Sequence, residues 1–105
     1  AVNETLLLAQ KYGVSIDNFA DAVAAGGAQN FYMQAQREKL KNEDWSTAFS
    51  LENVCKDINI CAKMSEEIGF DMPGMRVAKA AIEKGVERGW GKQDFRQTYR
   101  IVRGD

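Results

Sequence analysis

The sequence predicts an all-α fold of about six helices. Three observations lead there. Apolar residues recur at three- and four-residue spacing along most of the chain, the repeat of one helix face. No segment sustains the alternation of apolar and polar residues that marks a half-buried strand. Glycines, one proline and several capping residues fall between the periodic stretches, where helices start and stop.

Taken in order, the elements follow from that pattern. Glu4 to Tyr12 holds good helix formers with no convincing cap before it, so the chain reads as entering partway along a longer helix. Gly13 suits the left-handed residue that ends such a helix. Ser15 suits the N-cap of a helix from Ile16 to about Ala25, with Ile16, Phe19, Ala20, Val23 and Ala24 inward and Gly26-Gly27 as its stop. A third helix is expected over Ala28 to Lys41, burying Phe31, Tyr32, Met33, Ala35 and Leu40, with a solvated charged tail from Arg37. Asn42 to Ala48 reads as a polar loop carrying Trp45.

Ser50 then caps the most strongly patterned helix, with Asn53 where a full capping box would have Glu or Gln. Leu51, Val54, Cys55, Ile58, Cys61, Ala62 and Ile68 form one apolar stripe running to about Gly69. Ile60 and Met64 fall on the opposite side, beside Lys56 and Asp57. Apolar residues on two faces suggest a helix that is sandwiched or meets a partner. Pro73 suits the first position of the next helix, expected to run to about Arg88 with Met75, Ala78, Ala81, Ile82 and Val86 inward. Gly85 inside it points to close approach of another helix. After the Gly89-Trp90-Gly91 loop, Asp94 with Gln97 resembles a capping box before a last short helix with Phe95, Tyr99 and Val102 inward.

Composition narrows the chemistry. The 105 residues suffice for one hydrophobic core. A net charge of −1 with both signs interspersed offers no footprint for nucleic acid or an anionic membrane. No apolar run is long enough to span a bilayer. Cys55 and Cys61 lie six apart on one helix, pointing about 120° apart and about 9 Å apart along the axis, too far for a bridge. They read as small hydrophobes of a reducing compartment. With no histidine, a Ser-His triad, a histidine base and a histidine zinc site are excluded, and no metal site is expected.

Three stretches invite a functional reading. Ala9 to Ser15 has helix-turn-helix spacing, but the following helix carries Asp17 and Asp21 and no cation, so it would repel phosphates. Gly26-Gly27 and Gly89-Trp90-Gly91 match no phosphate-loop fingerprint and serve better as helix stops. Lys56-Asp57 is either a solvated ion pair or a cation offered to an anionic ligand.

Order along the chain favours the second. Asp44-Trp-Ser-Thr-Ala-Phe49-Ser-Leu51, then Lys56-Asp57-Ile58 and Ala62, resembles the "D-F-x-P-x-F-x-L-x-x-x-x-K-D-L-x-x-A" stretch of the β-hydroxyacid dehydrogenases. This is the 3-hydroxyisobutyrate dehydrogenase and tartronate semialdehyde reductase family, related to 6-phosphogluconate dehydrogenase. Glu4 to Val14 is similar to its "E-A-L-x-L-A-x-K-x-G-L", Gly69 to Pro73 to its "G-V-x-x-P", and Gly89 to Asp94 to its "G-x-G-x-x-D-x-S". Thr47 stands where the family often has Pro, and Arg96 where it often has Ser.

The resemblance implies a single all-helical C-terminal domain over residues 1–105, of the 6-phosphogluconate dehydrogenase-like type and truncated at its long first helix. It implies that the N-terminal Rossmann domain and the catalytic lysine lie before Ala1, so that this segment alone is inactive. Lys56 then corresponds to the lysine that reaches NAD or NADP near the nicotinamide, Asp57 to its acidic neighbour, and Phe49 to the aromatic lining the cofactor pocket. The expected partners are the protein's own Rossmann domain, a small hydroxyacid substrate and a second copy of the chain. Nucleic acid and membrane are not expected partners, and the expected location is cytoplasmic or the mitochondrial matrix. The dimer expectation also rests on Ile60 and Met64, with Trp45, Trp90 and Tyr99 adding apolar surface. The competing reading is a stand-alone helical interaction module.

Overall fold

The computed structural model describes residues 1–105 and contains six α-helices: α1 (Val2–Lys11), α2 (Ile16–Ala24), α3 (Phe31–Lys41), α4 (Leu51–Glu67), α5 (Pro73–Gly85) and α6 (Gln97–Arg103). The only extended pairing is a single antiparallel bridge between Ser50 and Asp94. The all-α class read from the sequence is therefore what forms. Packing divides the chain into two compact units, Ala1–Asp44 and Trp45–Asp105.

In the first unit, Gly13 ends α1 at φ +84. The Val14 N–H reaches the Ala9 carbonyl and the Gly13 N–H the Gln10 carbonyl, both at 3.0 Å, which is the Schellman pattern. Ser15 caps α2 as expected, its Oγ accepting the Asn18 N–H at 3.1 Å. Leu6, Ile16, Ala20, Met33 and Leu40 are the buried apolar residues. Helix α3 begins three residues later than expected. Asn30 is extended and its Oδ1 takes the Met33 N–H at 2.8 Å, so the cap fixes the start at Phe31. That start leaves Phe31 85% exposed rather than buried. The tail of α3 is also not merely solvated. Arg37 binds Asp17 at 3.0 Å and Asp21 at 2.9 Å, and Lys41 binds Asp17 at 2.7 Å.

The second unit is built on α4, α5 and α6. Ser50 caps α4, with the Asn53 N–H on its Oγ at 3.3 Å. Helix α4 ends as α1 does, with Gly69 at φ +66 and the Phe70 N–H on the Ser65 carbonyl. Ile68 is the C-cap residue where the chain turns away, so it is exposed instead of continuing the apolar stripe. Leu51, Ile82, Tyr99 and Ile101 are buried. Gly85 lies where helices close on each other: a Cβ there would meet Leu51 Cδ2 at 2.6 Å and the Ile101 side chain at 3.6 Å. Its φ of −66° is ordinary, so glycine is needed for room and not for backbone freedom.

Two boundaries differ from expectation. Regular α5 stops at Gly85, and Val86–Trp90 forms a π turn with Gly89 at φ +84. Asp94 and Gln97 make no capping box. Asp94 Oδ1 accepts the Arg96 N–H at 3.0 Å, turning residues 94–96, while Gln97 Nε2 bonds Gln93 at 2.7 Å. Helix α6 thus starts at Gln97, and its phase buries Tyr99 and Ile101 while Val102 faces solvent. Tyr99 stacks on Trp45 with ring centroids 6.3 Å apart, and Arg100 lies 4.6 Å from the Trp90 ring centroid. Trp45 and Tyr99 are therefore spent within this unit rather than left as bare apolar surface.

Candidate functional site

The candidate site begins where an irregular segment, residues 44–49, enters α4. Residues 91–96 stitch this entry in place. The Ala48 N–H donates to Asp94 Oδ2 at 3.0 Å, and the Phe95 N–H donates to the Phe49 carbonyl at 2.8 Å. The Leu51 N–H donates to the Gln93 carbonyl and the Glu52 N–H to the Gly91 carbonyl, each at 2.8 Å. With Asn53 N–H on Ser50 Oγ, the first three amides of α4 all have partners. A helix start normally offers such amides to anions. This one does not, so charge at this end must come from a side chain.

Lys56 is a cation near this end. It stands on the second turn of α4, about 7.5 Å along the axis from Leu51. Its Nζ lies 3.1 Å from Asp57 Oδ1, and the two side chains are 63% and 56% exposed. Helical spacing places Lys56 on the side of Ile60 and Met64, both exposed, and opposite the stripe through Leu51 and Ile58. Phe49, two residues before the helix, has its carbonyl held by the Phe95 N–H and is 43% exposed. The structure thus places Phe49 just before α4 and Lys56 and Asp57 on its second turn, all open to solvent.

Side chains of these types have the chemistry to recognise a ligand. The lysine can grip an anion, the ring can cover a flat heterocycle, and Asp57 can hold the ammonium in place. No nucleophile and base are paired there, and no cluster of three or more His, Cys, Asp or Glu side chains is placed to hold a metal ion. A separate groove of about 440 Å³ lies at the other end of α4, between Ser65, Phe70, Met72, Arg76 and Lys79. None of the three candidate residues lines it.

Reading the sequence assigned Asp94 a capping role and noted Arg96 only as a departure from the family pattern; their pairing was missed. Both side chains are fully buried, with Arg96 Nε on Asp94 Oδ1 at 2.5 Å and Arg96 Nη2 donating to the Ser46 carbonyl at 2.8 Å. Burial raises the Asp94 pKa, but the Arg96 side chain, the Arg96 and Ala48 N–H groups and the nearby guanidinium charge outweigh it. The carboxyl is held below its ordinary value of 3.8. Every buried side-chain nitrogen and oxygen in the chain has a hydrogen-bond partner.

Comparison with known proteins agrees with this architecture. The family model described as NAD-binding of NADP-dependent 3-hydroxyisobutyrate dehydrogenase matches residues 1–102. Glyoxylate/succinic semialdehyde reductase 1 of Arabidopsis thaliana is 27% identical over 103 residues, covering 98% of this chain and 36% of that protein. A probable 3-hydroxyisobutyrate dehydrogenase-like protein of the same plant, described as mitochondrial, is 25% identical over 76 residues, 72% of this chain and 23% of its own length. The crystal structure of 3-hydroxyisobutyrate dehydrogenase from Salmonella typhimurium superposes with a TM-score of 0.86 at 19% identity, over 94% of this chain and 35% of that one. The chain spans about a third or less of each of these relatives. Matched from its first residue to residue 102, it belongs to the family of NAD-binding helical segments of NADP-dependent 3-hydroxyisobutyrate dehydrogenases.

Proposed function

We propose that these residues form the helical part of an NAD(P)-dependent 3-hydroxyacid dehydrogenase, and that Lys56, Phe49 and Asp57 contact the nicotinamide cofactor. The observation that carries the reading is the start of α4. There an exposed cation and an exposed ring share one end of a helix whose own amides are already paired. The residues fit such a cofactor. Its bound nicotinamide supplies hydride transfer to or from a small 3-hydroxyacid or its semialdehyde. Lys56 offers hydrogen-bond donors to a polar group of the cofactor, Phe49 shields one side of the ring from water, and Asp57 steadies the lysine. The segment closes the active site against the Rossmann domain, and the catalytic lysine of the parent lies outside residues 1–105. On its own the chain supplies cofactor contact and no catalysis. Free Cys55 and Cys61 suit a cytoplasmic or mitochondrial-matrix parent.

The test is Lys56→Ala in the full-length parent. Cofactor affinity should fall by about 1 to 3 kcal/mol, the loss of a charge-assisted hydrogen bond. Coincident titrations of variant and wild type would reduce Lys56 to a surface charge.

The same reading includes self-association. Ile60, Met64, Ile68, Phe70 and Val77 are all more than half exposed on the second unit, and apolar surface of that extent favours a symmetric partner. Sedimentation equilibrium should report a dimer or larger species, weakened by Ile60→Lys with Met64→Lys. A monomer at tens of micromolar would remove this part of the proposal.

A further inference from the structure

The segment that delivers Phe49 has no regular structure of its own between Asp44 and Phe49, and Ser46, Thr47 and Ala48 are exposed. An exposed stretch of this kind frays unless its backbone is pinned. Two of its pins are side chains. Arg96 Nη2 donates to the Ser46 carbonyl at 2.8 Å, and Asp94 Oδ2 accepts the Ala48 N–H at 3.0 Å. Between them, Asp94 Oδ1 holds both the Arg96 Nε and the Arg96 backbone N–H. The two side chains together grip the polar backbone groups on either side of Thr47, as a neighbouring strand would. One residue further on the main chain takes over, with the Phe95 N–H on the Phe49 carbonyl and the Ser50–Asp94 bridge.

Buried ion pairs are an expensive way to fill a core, because an apolar pair of similar volume fills it without desolvating two charges. An apolar pair cannot hold the Ser46 carbonyl and the Ala48 N–H. We propose that Asp94 and Arg96 are positioning residues for the cofactor site. They form a latch that fixes the backbone of residues 46–49, and so sets both the aim of the Phe49 ring and the angle at which the chain enters the helix bearing Lys56. This rests on the reading that Phe49 and Lys56 contact the cofactor. It adds that the contact depends on two residues, both fully buried, that never touch it.

The experiment uses the full-length parent and fluorescence titration with NADH and NADPH, well below the melting temperature of every variant. Asp94→Asn with Arg96→Gln removes both charges together and leaves no lone buried ion. It should raise the cofactor Kd about tenfold, which is about 1.4 kcal/mol. Arg96→Lys keeps a cation for Asp94 but lacks the second fork nitrogen that serves Ser46, and its Kd should rise as well. Adding Phe49→Ala to the double variant should weaken binding no further than Phe49→Ala alone, within the roughly twofold error of additivity. A role in folding alone would lower the melting temperature of the latch variants and leave Kd unchanged. If Phe49→Ala weakens binding while both latch variants bind like wild type, the latch is overturned and the site stands. If Phe49→Ala and Lys56→Ala both bind like wild type, it is the reading of the site that fails. Fully additive losses in the combined variant overturn the route through Phe49.

Discussion

Two acid–base pairs in residues 45–105 share their chemistry and differ in their surroundings. Asp94 and Arg96 are 0% exposed, while Lys56 and Asp57 are 63% and 56% exposed. In the buried pair, one guanidinium and one carboxylate between them serve two backbone groups of the 46–48 segment and one another. That pair is fully buried, out of reach of a ligand in solvent. In the exposed pair the lysine spends one of its three donors on a neighbour in water. Charge is costly to bury and cheap to leave in water, so the first pair is committed to structure and the second is available for recognition.

The largest expected effect breaks the buried member. Arg96→Ala leaves the Asp94 carboxylate unpaired and the Ser46 carbonyl without that donor. It should destabilise the fold by about 3 to 5 kcal/mol, as breaking one side of a buried pair does, measured by urea unfolding. The same pair sets a pH dependence. The folded Asp94 carboxyl titrates below its ordinary 3.8. Its contribution is therefore complete above the ordinary carboxylate range and is lost as pH falls through the depressed folded value. The stability gap between wild type and Asp94→Asn should narrow as the solution is acidified below about pH 4. A gap that stays constant down to acid unfolding would show that the charge contributes nothing.

Much of the fold was legible because helix ends are local. Ser15, Ser50, Gly13 and Gly69 each act through hydrogen bonds to residues three to five away, so residue type and position announce them. Gly85 was legible as a close approach because a glycine costs a helix interior stability and needs a reason. Asp94 was misread for the opposite cause. Its partner Ala48 is 46 residues away in sequence, and an Asp before a helix looks the same whether it caps that helix or holds a distant strap. Arg96 stood out only as a departure from the family pattern, and its burial had no signal, since a buried arginine follows no apolar period. For the candidate site, Lys56 and Phe49 were singled out by likeness of sequence order, and the structure adds their exposure and the closed amides beneath them.

A smaller effect tests how tightly the helix carrying Lys56 is seated. Gly85→Ala places a Cβ 2.6 Å from Cδ2 of Leu51, the first residue of α4. Leu51 is fully buried, so its side chain must shift within the core to make room. Overpacking of this kind costs about 1 to 3 kcal/mol, against the roughly 1 kcal/mol that alanine gains over glycine inside a helix. The net should be a loss of about 1 kcal/mol in urea unfolding. A gain would mean that the start of α4 yields easily, and it would weaken the contrast between a rigid seat and an open face.

The smallest expected effect belongs to the exposed pair, and it sharpens the comparison most. Lys56→Ala removes an ion pair in which both side chains are more than half exposed. Lys56 and Asp57 are also adjacent in sequence, so their charges stay close together in the unfolded chain and the pair adds little on folding. Alanine is at least as good a helix former as lysine at a solvent-facing position of α4. Stability should therefore change by less than about 0.5 kcal/mol, while cofactor affinity in the full-length parent falls. That pairing of outcomes is what separates a recognition residue from a structural one. Parallel thermal melts and cofactor titrations on the same preparation decide it, and a stability loss near that of Arg96→Ala would mean that Lys56 belongs with the buried pair.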